Sequence, residues 1–201
     1  NWPAPLPVAW HTIGPADRVP GILARHIVDA LRLRVPDLSA DLVVAASRLR
    51  GHDGDEVGQA EASAAALAEA LEAVLRRSTA LVLDDVHEIA SVAEVSGFVA
   101  ALSRQVPTAL NLVLVSRDPL PFRTARMVAH GEAAELGAAD LAFTVGDTEE
   151  LVERLIGVPD AGLARAVHVL SGGWPVATRL AVEAVARVPA AGRAAILDTM
   201  A

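Results

Sequence analysis

At 201 residues and 53% hydrophobic, the chain can bury the core of one α/β domain and carry a small helical appendage. Three Trp, three Phe and no Tyr exclude a long aromatic platform for single-stranded nucleic acid, and a net charge of −8 excludes a basic nucleic-acid face, so no direct DNA binding is expected. The absence of Cys excludes disulfides and thiolate metal sites, no apolar run reaches the roughly 18 residues that span a bilayer, and the N-terminus lacks a signal-peptide order; the expectation is a cytoplasmic protein without membrane contact.

The lead-in contains Pro3, Pro5 and Pro7, which cannot donate ladder hydrogen bonds, and reads as a connector. Residues 8–13 (Val-Ala-Trp-His-Thr-Ile) are strand-like and are broken by Gly14-Pro15. From Pro20, the apolar residues Ile22, Leu23, Ile27, Ala30 and Leu31 recur at helical spacing, and that helix should end before Pro36. Residues 51–56 (Gly-His-Asp-Gly-Asp-Glu) lack a complete ligand spacing and read as a solvated loop rather than a metal loop. Gln59 to Arg77 reads as a helix with Leu67, Leu71, Val74 and Leu75 on one face and Arg76 and Arg77 near its C-terminus, where cations suit the helix dipole.

Residues 79–88 (Thr-Ala-Leu-Val-Leu-Asp-Asp-Val-His-Glu) form an apolar run that ends in two carboxylates. A buried parallel strand reads as continuous aliphatic residues, and acidic groups at its carboxyl end open into the crevice where α/β sheets bind ligands. Asp84 and Asp85 therefore either hold a magnesium ion beside a nucleotide phosphate or simply end a strand and cap the next element. Ser91 and Glu94 match a capping box, followed by Val95, Phe98, Val99 and Leu102 at helical spacing. After Pro107, Leu110 to Val115 is a second continuous apolar run, closed by Ser116-Arg117-Asp118-Pro119. Arg117 there either faces a phosphate, which suits its planar fork, or pairs with Asp118 on the surface.

Pro121 to His130 gathers Arg123, Arg126 and His130, and Glu135-Leu136 reads as a short last strand. From Thr144 the pattern becomes helical throughout, with helices opening at Thr144, Asp160 and Pro175 and a fourth after Pro189. Gly172-Gly173-Trp174-Pro175 lies between two of them, either as a plain helix stop and start or as a functional turn. The alternation of strands and helices predicts a parallel sheet with helical crossovers over residues 1–143, followed by a small all-helical domain over residues 144–201. The histidines at 11, 26, 52, 87, 130 and 168 show no paired zinc spacing and read as surface or core-edge residues.

Taken in order, residues 8–17, 81–87, 113–117, 135–144 and 171–175 resemble the ATPase module of MalT-like STAND proteins, the large ATP-dependent LuxR-type transcription activators. The resemblance covers nearly the whole chain and implies an incomplete P-loop-NTPase-type sheet with ATP or ADP and Mg2+ as cofactors of the intact parent. It implies that Asp84 holds the metal, Asp85 orients the attacking water and Arg117 senses the phosphate. Gly173, Trp174 and Pro175 would form the motif that approaches the adenine and couples the helical domain to the nucleotide. Such proteins are signal-transducing switches that self-associate when opened.

One departure stands out. A phosphate loop requires G-x-x-x-x-G-K-[ST], and this sequence has no such motif and no lysine, all 17 basic residues being arginine. In the family that loop precedes the segment matching residues 8–17, so the chain is expected to start after it and, alone, to bind no nucleotide tightly and to lack turnover. The strands at 8–13, 80–84 and 110–116 should then form a three-stranded parallel core with 80–84 in the middle. The edge at 110–116 should be covered by residues 134–136, another chain or the missing upstream segment. The alternative reading is a non-catalytic α/β interaction domain; a Rossmann enzyme is disfavoured because no G-x-G-x-x-G follows any strand.

Overall fold

The computed structural model describes residues 6–35, 38 and 56–200. It divides the chain into two compact units, Asn1–Glu132 and Ala133–Ala201. The proline-rich lead-in through Pro5 and the tip at 51–55 lie outside the described residues.

The first unit is a mixed α/β body around a three-stranded parallel sheet, β1 (Val8–Thr12), β2 (Thr79–Asp84) and β3 (Leu110–Leu114), in the order β1-β2-β3. Trp10 stands opposite Val82, and Val82 opposite Val113. This is the expected order, with the carboxylate-tipped strand in the middle. Thr79 to Leu83 are buried without alternation, because β2 is covered on both faces, whereas β1 alternates. Among the described residues β3 pairs only with β2, so its outer edge has no ladder partner.

Three longer helices surround the sheet: α1 (Pro20–Arg32), α2 (Glu56–Val74) and α3 (Ala93–Arg104). Pro20 at the first position costs α1 no hydrogen bond, since that N–H has no intrahelical partner. Leu23, Ile27 and Leu31 on α1, Leu71 on α2 and Phe98, Val99 and Leu102 on α3 join Leu81 and Leu83 in one core. Two local expectations fail. Helix α3 starts one residue later than Ser91 and Glu94 suggest: its N-cap is Val92, which has no side-chain cap, and Ser96 Oγ donates to the Ile89 carbonyl at 2.9 Å. Helix α2 ends at Val74, so Arg76 and Arg77 follow it instead of occupying its last turn. A short helix, α4 (Ala125–Ala129), and two 3-10 turns, Pro15–Arg18 and Val86–Ile89, complete the described elements of this unit.

The regular elements described in the second unit are all helical: α5 (Ala138–Leu141), α6 (Val145–Ile156), α7 (Ala161–Ser171), α8 (Pro175–Ala186), a 3-10 turn (Ala190–Gly192) and α9 (Arg193–Met200). Glu135 and Leu136 have no regular structure, contrary to the strand expected there; Leu136 is exposed, and nothing local rewards an extended pairing. Val152, Leu163, Ala164, Val167, Val182 and Val185 form its core. Thr144 caps α6 as a capping box with Asp147, and Gly157 ends it at φ 84°. No helix among the described residues is long and apolar enough to cross a membrane.

Candidate functional site

Asp84 is the last residue of β2, and its backbone carbonyl accepts from Ile13 N at 2.9 Å. Val86 N donates to Val115 O at 3.0 Å, and Val115 N donates back to Leu83 O at 2.9 Å. Both flanks of Asp85 are thus tied to neighbouring segments, and the chain turns between them through a left-handed residue: Asp85 has φ 57° and ψ 40°, the one non-glycine with positive φ among the described residues. Aspartate tolerates this region better than most residues, but it still carries a cost, and such strain gathers at functional turns. The Asp84 carboxylate supports the turn by accepting from Asp85 N at 2.9 Å. A 3-10 turn, Val86–Ile89, follows.

The charged groups beyond the strand ends converge here. Arg117 Nη2 donates to His87 Nε2 at 2.6 Å, and its Nε lies 4.0 Å from Asp85 Oδ1. Accepting at Nε2 places the proton of neutral His87 on Nδ1, a buried atom without a hydrogen-bond partner that lies 3.8 Å from Asp85 Oδ1. Ser116 Oγ is also buried and unpartnered. Arg18 donates to the Glu88 carbonyl at 3.3 Å and to its carboxylate at 3.5 Å. Arg117, three-quarters exposed, is aimed at Asp85 and His87, and among the described residues no ion pair joins it to Asp118. The pairing with Asp85 is long and solvated, so it orients the guanidinium weakly and leaves it able to turn toward an anion. Asp84, Asp85 and Arg117 therefore share one end of the sheet, and His87 joins them, a residue the sequence offered only as one scattered histidine.

Gly173, Trp174 and Pro175 belong to the second unit. Gly172 and Gly173 take φ 59° and 75°, ending α7, and Pro175 opens α8. Phe143 N donates to Gly173 O at 2.8 Å, and a Cβ on Gly173 would fall 2.6 Å from Phe143 O, so glycine is required by both angle and space. Ser171 Oγ accepts from Gly173 N at 3.3 Å and bonds Thr178 Oγ1 at 2.8 Å, stitching the turn to the first turn of α8. Trp174 is exposed.

A second cluster in the first unit was not legible in the sequence. Asp17, in the 3-10 turn Pro15–Arg18, is buried and sits between two histidines. Its Oδ2 lies 3.1 Å from His11 Nε2 and accepts from Gly14 N at 2.8 Å, while its Oδ1 lies 2.7 Å from His26 Nδ1. Burial works against the Asp17 charge, but the Gly14 N–H and the two imidazoles outweigh it and hold the carboxyl below its ordinary range. The two rings stand with centroids 5.1 Å apart, tilted by 46°.

Comparison of the sequence with protein-family models and with curated proteins finds no match in either.

Proposed function

We propose that the chain is part of a signal-transducing STAND-type ATPase, an ATP/ADP-dependent switch of transcription, with the phosphate end of its nucleotide site at the carboxyl end of the parallel sheet. The observation that carries this reading is the convergence of Asp84, Asp85 and Arg117 at the end of the central buried strand. Ligands of open α/β sheets bind outside the carboxyl ends of the strands, and adjacent carboxylates with an arginine beside Asp85 offer both a seat for a hard cation and a fork for phosphate oxygens.

The donor set suits Mg2+, since Asp84 and Asp85 present only oxygen ligands. Asp84 would hold the ion, which when bound supplies neutralisation of phosphate charge. Asp85 would accept a hydrogen bond from the attacking water, and Arg117, released from Asp85, would bond the terminal phosphate. His87 positions Arg117 through its 2.6 Å hydrogen bond. The resemblance assigns Gly173, Trp174 and Pro175 of the helical unit to the motif that reads nucleotide state. The reading requires a phosphate loop elsewhere in the full-length gene product, because none of the 201 residues is a lysine.

The test uses the full-length gene product and measures ATP and ADP affinity together with turnover. Asp85→Asn should slow hydrolysis more than it weakens binding, Arg117→Ala should erase discrimination between ATP and ADP, and Pro175→Ala should loosen coupling to the helical unit while sparing turnover. Four folded proteins, wild type included, that bind no nucleotide would leave the alternative: a non-catalytic interaction domain that uses the unpaired β3 edge to recruit another chain.

A further inference from the structure

We propose that His11, Asp17 and His26 form a binding site for one divalent transition-metal ion of the zinc class. The three side chains come from separate elements: His11 from β1, Asp17 from the 3-10 turn and His26 from α1. Each offers one ligand atom, and these atoms all lie within 4.8 Å of one another. Zinc binds imidazole nitrogen and carboxylate oxygen at roughly 2.0–2.2 Å, which places tetrahedral ligand atoms about 3.4 Å apart. No pair therefore closes by more than about 1.4 Å on binding, while the 2.7 Å pair of His26 and Asp17 opens, both within reach of small rotations of two partly exposed imidazoles.

Two imidazoles and one carboxylate select the metal class. Mg2+ and Ca2+ take oxygen ligands, whereas imidazole suits zinc, cobalt and iron. The anchor is rigid: Asp17 is buried, and Gly14 N holds its Oδ2, so the carboxylate is fixed before any ion arrives. The outer side is open, since His11 and His26 line a surface depression together with Trp10, Asp29 and Leu33. Water can complete the coordination there, and the rim carries one charge of each sign, Asp29 one turn beyond His26 on the same face of α1 and Arg32 beside it. On binding, the ring nitrogens that face Asp17 exchange their protons for the metal, and each neutral ring carries its proton on the other nitrogen instead.

The experiment titrates the untagged chain with Co2+ and follows visible absorption, then displaces the cobalt with Zn2+. The expected result is one Co2+ per chain with the bands of a four- or five-coordinate site, displaced by one equivalent of Zn2+ and unaffected by excess Mg2+. His11→Gln and His26→Gln should each weaken Zn2+ binding by about 100-fold, since even a residue that only supports a ligand is worth roughly 10–100-fold. Proton resonances of His11 and His26 in the wild-type chain should shift on Zn2+ addition while those of His130 and His168 stay in place, a readout that stands if the variants misfold. Failure of the wild-type chain to show saturable one-equivalent binding, zinc shifts at other histidines only, or folded variants that bind as tightly as wild type would overturn the site and leave a hydrogen-bonded triad.

Discussion

Replacing Gly173 by alanine tests the turn between α7 and α8 with a magnitude that follows from two separate penalties. Gly173 has φ 75°, and an L-residue held there costs about 1–2 kcal/mol. Its new Cβ would also meet the Phe143 carbonyl oxygen at 2.6 Å, which must be relieved by moving backbone rather than a flexible side chain. Overpacking of that kind costs about 1–3 kcal/mol, so the total is about 2–5 kcal/mol. The strain does not stay local, because Phe143 N is bonded to Gly173 O and Thr144, the next residue, caps α6. Gly172→Ala is the control: its φ is 59° with nothing within 4 Å of the added carbon, so it carries only the first penalty, about 1–2 kcal/mol. Urea unfolding combined with hydrogen exchange of the α6 and α8 amides measures both. Equal losses for the two variants would refute the close-approach argument, and a neutral Gly173→Ala would refute the turn geometry itself.

The α6 capping box should show in the acid dependence of stability. Hydrogen bonds from the Thr144 side chain, then its backbone N–H, lower the Asp147 pKa from 3.8, so their stabilisation is present above pH 3.8 and is lost as pH falls through the lower folded value. Thr144→Ala should therefore be less stable than wild type at neutral pH, with the gap narrowing in strong acid; thermal melts at several pH values check this, and a gap that widens on acidification would contradict it. At Asp85, alanine should destabilise the first unit by about 1–2 kcal/mol relative to glycine at the same position, because only glycine enters the left-handed region freely; denaturation of the two variants decides it. Phe98→Ala, at a fully buried site on α3, should cost the first unit about 3–5 kcal/mol, and a loss below 1 kcal/mol would mean that the core is not packed around it.

Much of the architecture was legible because single rules were enough. The uninterrupted aliphatic run before Asp84 announced a strand covered on both faces, and the helix expected to open at Thr144 does so, with Thr144 as its N-cap. Ser91 and Glu94 misled because the motif is local: the turn Val86–Ile89 runs on through Ala90, and Ser96, a turn inside the helix, donates back to Ile89. Glu135 and Leu136, read as a short strand, have no paired neighbour to hold them extended. At the sheet end, the positions of Asp84, Asp85 and Arg117 followed from strand order, while His87 did not, since its link to Arg117 crosses from one strand end to the next. The His11, Asp17 and His26 cluster was invisible for the same reason: a strand, a 3-10 turn and a helix each contribute one residue, and only the packing of α1 against β1 brings them together.

The central claim, a nucleotide site at the carboxyl end of the sheet, is tested most directly by the magnesium dependence of ATP affinity in the full-length gene product, wild type against Asp84→Ala. The account predicts that Mg2+ tightens ATP binding to wild type and that Asp84→Ala, while folded, loses that tightening and keeps the weaker metal-free affinity. Magnesium-dependent ATP binding that is unchanged in Asp84→Ala would contradict it and remove the carboxylate pair from the site.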